Sequence, residues 1–258
     1  MQHLVISVSP DSSLKLLGEC ADIIVLDKKP PIGVTKRYDT LYIRSHFSQP
    51  DLQPQNFRHE ITPIVDSARR INPGITFIDS IDNVDDIVFF EDKWRQYQLL
   101  HDFMPLTQLL DTDKGALDFK KQIFKKRLSS RGNGVTWDIN DVTGSPSDWV
   151  VQESLEIEEE MRVYVVHGSV YPIATARRSM TSLHKTEATN SRALDSKEVK
   201  FAAMISGQIA NFDFVGLDIA RTKDGSLKLM EANRSPGFAS FAELTGVNLA
   251  HMLYSDNY

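Results

Sequence analysis

Asp218, Glu231 and Asn233 are the residues of this sequence whose types and spacing point most directly to chemistry. Asp218 sits inside the apolar run 215–220, and Glu231 and Asn233 stand two apart on a second run that begins at Leu227. Lys223 to Ser226 lies between the runs and supplies turn chemistry through Asp224-Gly225, so the segment reads as a hairpin. Alternate residues of a strand share a face, so Glu231 and Asn233 point the same way and antiparallel pairing can bring Asp218 beside them. Two carboxylates and an amide oxygen, with no Cys or His among them, form a hard-cation set. It suits Mg2+ carrying a nucleotide, with Mn2+ as a substitute, better than zinc or copper. Any one acid at a strand end is most often simply solvated. The three together, followed by Arg234, Ser235, Pro236 and Gly237, favour the metal.

A second group is Lys125, Lys126, Arg127, Leu128, Ser129, Ser130, Arg131, Gly132, Asn133, Gly134 and Val135. A Gly-x-Gly loop flanked by serine and basic residues can fold as a flap whose N–H groups approach phosphate while a strand lysine neutralises charge. Taken alone, the pattern is better described as a β-hairpin loop with solvated charges. A third group is the strand Val150 to Leu155, ending in Gln152-Glu153, followed by an acidic segment that closes with Glu160, Met161 and Arg162. A strand end offers N–H and C=O groups to an adenine edge, and a nearby carboxylate can accept ribose hydroxyls. Other phosphate motifs are missing, including the P-loop and dinucleotide fingerprints and the kinase catalytic loop.

The elements that must hold these groups are short. Leu4–Val8, Ile23–Leu26, Leu41–Ile43 and Thr76–Ile78 read as strands alternating with helix-compatible stretches such as Glu60–Ile71, which predicts a small α/β lobe. Ser48–Gln55 reads as a loop, and Trp94–Phe103 as a helix stopped by Pro105. Strands are expected at Gln122–Phe124, Val135–Asp138 and Trp149–Ser154, then as a hairpin of Met161–His167 with Val170–Ala176. Asp195–Phe212 is the clearest helix. Asp195 is its cap, Glu198 occupies the capping-box position, and Val199, Ala202, Ile205, Ile209 and Phe212 form its apolar stripe.

Length and composition bound the answer. A chain of 258 residues can bury a substantial core, in one compound domain or two small ones. A net charge of −6 argues against nucleic acid or an anionic membrane as partner. One cysteine, Cys20, leaves no internal disulfide framework and fits a reducing compartment. The N-terminal residues have too short an apolar run for a signal peptide, and no segment approaches the roughly 20 apolar residues of a membrane helix. A cytoplasmic protein is expected, and a homo-oligomer is left open.

In this order the pieces resemble the ATP-grasp superfamily, in the branch of glutathione synthetase and the ribosomal-protein glutamate ligases. The resemblance spans residues 44–253. It rests on Glu91-Asp92-Lys93, Phe124-Lys125 with the Ser-Arg-Gly-Asn-Gly flap, Val151-Gln152-Glu153, Met161-Arg162-Val163, Ala176-Arg177-Arg178, Leu217-Asp218-Ile219 and Met230-Glu231-Ala232-Asn233 with Ser235-Pro236-Gly237. The tail Glu243–Ala250 also looks like the family's closing helix. The resemblance implies an α+β fold in which nucleotide lies between two β-rich lobes. It also implies an N-terminal lobe over 1–85, a central lobe over 86–153 and a C-terminal lobe over 154–258.

The roles it implies are specific. Lys93 and Lys125 look like the nucleotide lysines, with Ser130, Arg131, Gly132 and Gly134 in the phosphate flap. Gln152, Glu153, Ser154 and Leu155 look like the adenine strand, and Glu160 stands where the family commonly has a ribose-binding Asp. Arg178 or Arg177, with Arg162, would meet the transferred phosphate, and Asp218, Glu231 and Asn233 match the magnesium ligands. Lys126 departs from the Pro or apolar residue frequent at its place. Arginine suits bidentate capture of carboxylates, so Arg44, Arg192 and Arg234 are candidates for holding substrate, together with Asn190 and Ser235. The implied reaction uses ATP to join a carboxylate to an amine through an acyl phosphate, on an amino acid, peptide or protein tail. A phosphotransferase or a nucleotide-binding regulator would use many of the same groups.

Overall fold

The computed structural model describes residues 1–7, 10–26, 33–44, 54–79, 90–110, 121–129, 134–178 and 190–255, and within these the side chains of all but 54–58 and 177–178. Three sheets follow one another along the chain. The first is parallel, with β1 (His3–Ser7), β2 (Asp22–Val25), β3 (Thr40–Arg44) and β4 (Thr76–Phe77) in the order β2-β1-β3-β4. Its two inner strands are the apolar runs, with Leu4, Val5, Ile6, Leu41 and Tyr42 fully buried, as strands covered on both faces must be. α1 (Leu14–Leu17) lies between β1 and β2 along the chain and α2 (Pro54–Ile71) between β3 and β4, the latter burying Ile61, Ile64, Val65 and Ala68 along one stripe. The expected helix at Glu60 thus begins at Pro54, and the rest of the expected loop, residues 48–53, lies outside the described residues.

The helix α3 (Lys93–Leu100) leads into an antiparallel sheet of β5 (Thr107–Leu109), β6 (Gln122–Lys126), β7 (Val135–Thr136) and β8 (Trp149–Glu153), ordered β5-β8-β6-β7. Its small core is Phe124, Trp149 and Val151. Asp92 caps α3 by accepting the Trp94 N–H at 2.9 Å, and the helix ends at Leu100, three residues short of the expected Phe103.

The third sheet is the largest. β9 (Ile157–Val166), β10 (Ser169–Val170), β11 (Ile173–Arg178), β12 (Asn190–Ala193), β13 (Phe214–Thr222) and β14 (Leu227–Asn233) run in the order β12-β11-β9-β13-β14, with β10 paired to β9. The helix α4 (Ser196–Gln208) starts with the expected capping box, the Asp195 and Glu198 side chains each accepting the other's backbone N–H at 2.8 Å. It stops at Gln208, though Ile209 and Phe212 stay buried beyond it, while Val199 is 36% exposed and leaves the expected stripe. The expected closing helix is two short ones, α5 (Ala239–Thr245) and α6 (Leu249–Leu253), parted at residues 246–248.

The first and third sheets meet along a polar seam. The Asp79 N–H donates to Asp213 Oδ2 at 2.6 Å, and Asp79 Oδ1 accepts the N–H groups of Asp213 and Phe214 at 2.9 and 3.1 Å. Arg234 donates to Asp79 at 3.0 Å and to the Ile43 carbonyl at 2.6 Å. Burial pushes the Asp79 carboxyl up to about 6 against the pull of Arg234 and those N–H groups. The chain therefore joins its first and third sheets through buried polar groups as well as through apolar packing.

Candidate functional site

Strand register decides which side chains share a face. Asp218 lies opposite Glu231 on β14 and opposite Arg162 on β9; Gly216 lies opposite Asn233 and Tyr164; Ala220 lies opposite Glu160. Residues directly across or two along point the same way, so Glu160, Arg162, Tyr164, Asp218, Glu231 and Asn233 occupy one face. The pairing skips Met230, passing from Asp218↔Glu231 to Ile219↔Leu229, which puts a bulge beside the two acids.

Arg162 grips Asp218 in bidentate fashion, Nε to Oδ1 at 2.6 Å and Nη2 to Oδ2 at 2.7 Å. Asn233 Nδ2 donates to Asp218 Oδ2 at 3.2 Å. Lys93, the first residue of α3, reaches from the other direction. Its Nζ lies 3.6 Å from Glu231 Oε1 and donates to the Ser129 carbonyl at 2.5 Å. The helix start that carries it is pinned to the second sheet, where Arg127 donates to both Asp92 oxygens and its carbonyl accepts the Lys93 N–H at 3.1 Å. On that sheet Lys125 Nζ donates to Gln152 Oε1 at 2.6 Å, and Gln152 Nε2 donates to Thr107 Oγ1 at 2.8 Å. Buried Gln152 therefore aims a lysine.

Lys93 thus bridges the oxygen-rich patch of the large sheet and the Ser129 end of the second sheet, on which Lys125 is held by Gln152. Two carboxylates and an amide on adjacent strands fit a hard divalent cation, and the donor set contains no nitrogen or sulfur that would favour zinc. Among the described residues no group of three or more His, Cys, Asp or Glu side chains gathers as a metal site.

Several expected site residues take other places. Arg44 is fully buried, pairs with Asp11 at 3.2 Å and donates to the Pro236 carbonyl at 3.1 Å; Arg234 is 1% exposed and bound to Asp79; Ser235 is 4% exposed. These three are fixtures of the seam, with no surface to offer a substrate. Arg192 lies opposite Ala174 and Asn190 opposite Ala176, the register positions of Val163 and Met161 on β9, so both are on the reverse face, one residue out of phase with the cleft. There Arg192 donates to Glu159 and to Glu198. The Ser154 N–H donates to the Lys121 carbonyl at 3.1 Å and that of Glu153 to the Leu106 carbonyl at 2.9 Å, so both amides already have partners within the chain.

Ser130, Arg131 and Gly132 lie outside the described residues. Gly134 closes the loop they belong to, its carbonyl accepting the Lys126 N–H at 2.7 Å; its φ of 65° and the 2.7 Å that would separate a Cβ from Lys126 Cβ both require glycine. Position 177 pairs with Glu160 and position 178 with Glu159, so the backbone puts 177 in line with the cleft face and 178 with the reverse one.

Sequence reasoning passed over Gln96 and Gly216. Gln96 is buried one turn after Lys93, and a neutral amide four residues before buried Leu100 was the available signal. A Cβ on Gly216 would meet Pro236 Cβ at 2.7 Å, so this glycine lets the Ser235-Pro236 turn lie on β13 next to Asp218.

Comparison with known proteins follows this geometry. Residues 138–255 match the model of the RimK-like ATP-grasp domain. Among solved structures, the ATP-grasp ligase PsnB, complexed with precursor peptide PsnA2 and AMPPNP, is 17% identical over 98% of this chain and 94% of its own, with a TM-score of 0.64. The macrocyclase MdnC from Microcystis aeruginosa MRC, bound with precursor peptide MdnA, is 16% identical over 99% of both chains, with a TM-score of 0.63. The D-cycloserine synthetase DcsG is 12% identical over 97% of this chain and 98% of its own, at 0.64. At these identities the likeness is one of fold. No curated protein matches.

Proposed function

We propose that this chain, which has the ATP-grasp fold with a RimK-like ATP-grasp domain over residues 138–255, is an ADP-forming ligase that joins a carboxylate to an amine. The observation that carries the reading is Lys93, which lies 3.6 Å from Glu231 beside Asp218 and Asn233 and donates to the Ser129 carbonyl at 2.5 Å, while Lys125 is held by Gln152 on the second sheet. The solved relatives named above are described as an ATP-grasp ligase, a macrocyclase and a synthetase, two of them holding precursor peptides. An amino acid, peptide or protein tail is accordingly the substrate class here.

In this reading a substrate carboxylate oxygen attacks the γ-phosphorus of ATP, the bond to the β-γ bridging oxygen breaks, and ADP leaves an acyl phosphate. An amine nitrogen then attacks the acyl carbon, loses a proton and expels inorganic phosphate as the amide forms. Lys93 and Lys125 neutralise phosphate oxygens, Gln152 holds Lys125 in place, and Glu160 accepts ribose hydroxyls on the same face. Asp218, Glu231 and Asn233 would hold Mg2+, which when bound offsets phosphate charge. Arg162, gripping Asp218, sets that ligand's orientation, and position 177 is the better-aligned of the arginine pair for the transferred phosphate. Excluding water, which would hydrolyse an acyl phosphate, is the role this reading gives to the Ser129 to Val135 segment.

The test is an ADP-release screen over pairs of carboxylates and amines, with hydroxylamine replacing the amine in parallel. A productive carboxylate gives ADP and a hydroxamate. A phosphorylated product that accumulates without hydroxamate would instead make the protein a phosphotransferase.

A further inference from the structure

The last strand of the large sheet has an open flank. β14 is at the edge, with β13 on one side, so backbone groups on its other side need partners from elsewhere. At Ala232, between Glu231 and Asn233, one side chain supplies both. Gln96 Oε1 accepts the Ala232 N–H at 3.1 Å and Gln96 Nε2 donates to the Ala232 carbonyl at 2.9 Å, as a neighbouring strand would. The same Nε2 donates to the Phe90 carbonyl at 2.8 Å, and the side chain is 3% exposed. Three bonds within an enclosed site leave the amide one orientation.

Gln96 lies one turn after Lys93 on α3, so its amide joins the element that carries the lysine to the strand that carries Glu231 and Asn233. Farther along, the Leu229 N–H donates to the Phe103 carbonyl at 2.8 Å, extending the same edge contact. A side-chain amide that fixes both main-chain groups of the residue between two ligands restrains the strand's rotation, and that rotation sets where Glu231 and Asn233 point.

We infer that Gln96 is a positioning residue for the cation site, clamping Ala232 so that Glu231 and Asn233 are held at a set distance from Lys93. It touches neither nucleotide nor metal and acts through the strand. The inference rests on the reading of Glu231 and Asn233 as cation ligands. Outer partners of metal ligands commonly govern affinity by about 10–100-fold when removed.

The experiment titrates Mn2+ into the full-length protein with ADP, following bound Mn2+ by electron paramagnetic resonance, and records Tm for each variant. Gln96→Met keeps the length and apolar stem and removes the amide. Gln96→Glu, which still accepts the Ala232 N–H, serves if the methionine variant does not fold. Ile205→Val, in the fully buried core of α4, is the stability control. The expected result is a Mn2+ affinity about ten-fold lower in Gln96→Met. Gln96→Glu should show a smaller loss, and Ile205→Val none, whatever their Tm.

Three results would overturn the inference, and they are separable. If Glu231→Gln binds Mn2+ as the unsubstituted protein does, the ligand reading itself fails and the inference with it. If Glu231→Gln loses Mn2+ while both Gln96 variants keep it, only the role of Gln96 fails. If Ile205→Val loses affinity in proportion to its Tm as the Gln96 variants do, Gln96 is structural alone.

Discussion

The two faces of the large sheet carry similar charges and treat them differently. On the reverse face Arg192 and Arg221 both donate to Glu198, which is fully buried, and also to Glu159 and Asp195 respectively. Burial alone would raise the Glu198 carboxyl, but Arg192, the Asp195 N–H and Arg221 outweigh it and hold it below the usual range. On the cleft face Arg162 holds Asp218 in a bidentate pair, but Lys93, arriving from α3, stops 3.6 Å from Glu231; Lys125, on the second sheet, donates to the neutral Gln152. A closed network of ion pairs has already received its ligands. Glu159 and Glu160 are adjacent in sequence, yet strand alternation gives one to each face.

Substitutions on the two faces should therefore separate activity from stability. The largest effect belongs to the cleft: Glu231→Gln is expected to lower turnover on the order of 100-fold or more, the usual scale for losing a charge-stabilising group, with Tm nearly unchanged. Steady-state rates beside a thermal melt would check it, and near-normal turnover at limiting Mg2+ would erase the distinction between the faces. Glu198→Gln should do the reverse. Leaving two arginines short of a carboxylate costs about 2 kcal/mol, below the fully buried range because both keep some contact with water, while the KM for ATP stays put. Denaturant melts and KM measured on one preparation decide this.

Gly216→Ala tests how the seam and the cleft are joined. Its new Cβ must displace Pro236, so stability should drop by about 1–3 kcal/mol. Turnover should fall with it, because the displaced turn follows Asn233 directly. An alanine variant with normal melting and normal rates would mean that the turn is not held by this contact.

How much of this was legible in the sequence depended on whether the signal was local. The hairpin 214–233, its Asp-Gly turn, the pairing of Asp218 with Glu231 and the capping box of Asp195 and Glu198 all follow from spacing over a few residues. The ATP-grasp fold was also legible, from the order of its motifs. Arg192 was misread because a four-residue strand has no reliable phase until its partner is known. Arg44 and Arg234 were misread because nothing nearby in sequence announces Asp11 or Asp79 as partners, so burial of these cations only becomes visible in three dimensions. Gln96 was missed for the same reason, its partner Ala232 being 136 residues away.

The seam offers a smaller effect that depends on pH. His167 Nδ1 lies 3.2 Å from Asp213 Oδ1 and Nε2 lies 3.0 Å from the Leu253 carbonyl, so two acceptors call for two ring protons. The Asp213 bond accordingly raises the His167 pKa above its ordinary 6.5. Burial acts to raise that of Asp213, but the His167 and Asp79 bonds hold it below 3.8. A raised histidine pKa adds stability that is fully present below 6.5 and is lost as pH climbs through the folded value; a lowered aspartate pKa adds stability lost as pH falls through its own. His167→Gln should thus cost most between about pH 4 and 6.5 and least in alkaline buffer. Tm against pH for both proteins would show it, and a pH-independent gap would contradict it.

The reaction itself is tested most directly by isotope transfer. With ATP, Mg2+, an amine and a substrate carboxylate labelled with 18O, attack of that carboxylate on the γ-phosphorus requires one labelled oxygen to leave in inorganic phosphate when the amide forms. Mass spectrometry of the phosphate should find one 18O per turnover. Amide formation with unlabelled phosphate, or ADP release that leaves all the label in the carboxylate, would contradict an acyl phosphate intermediate.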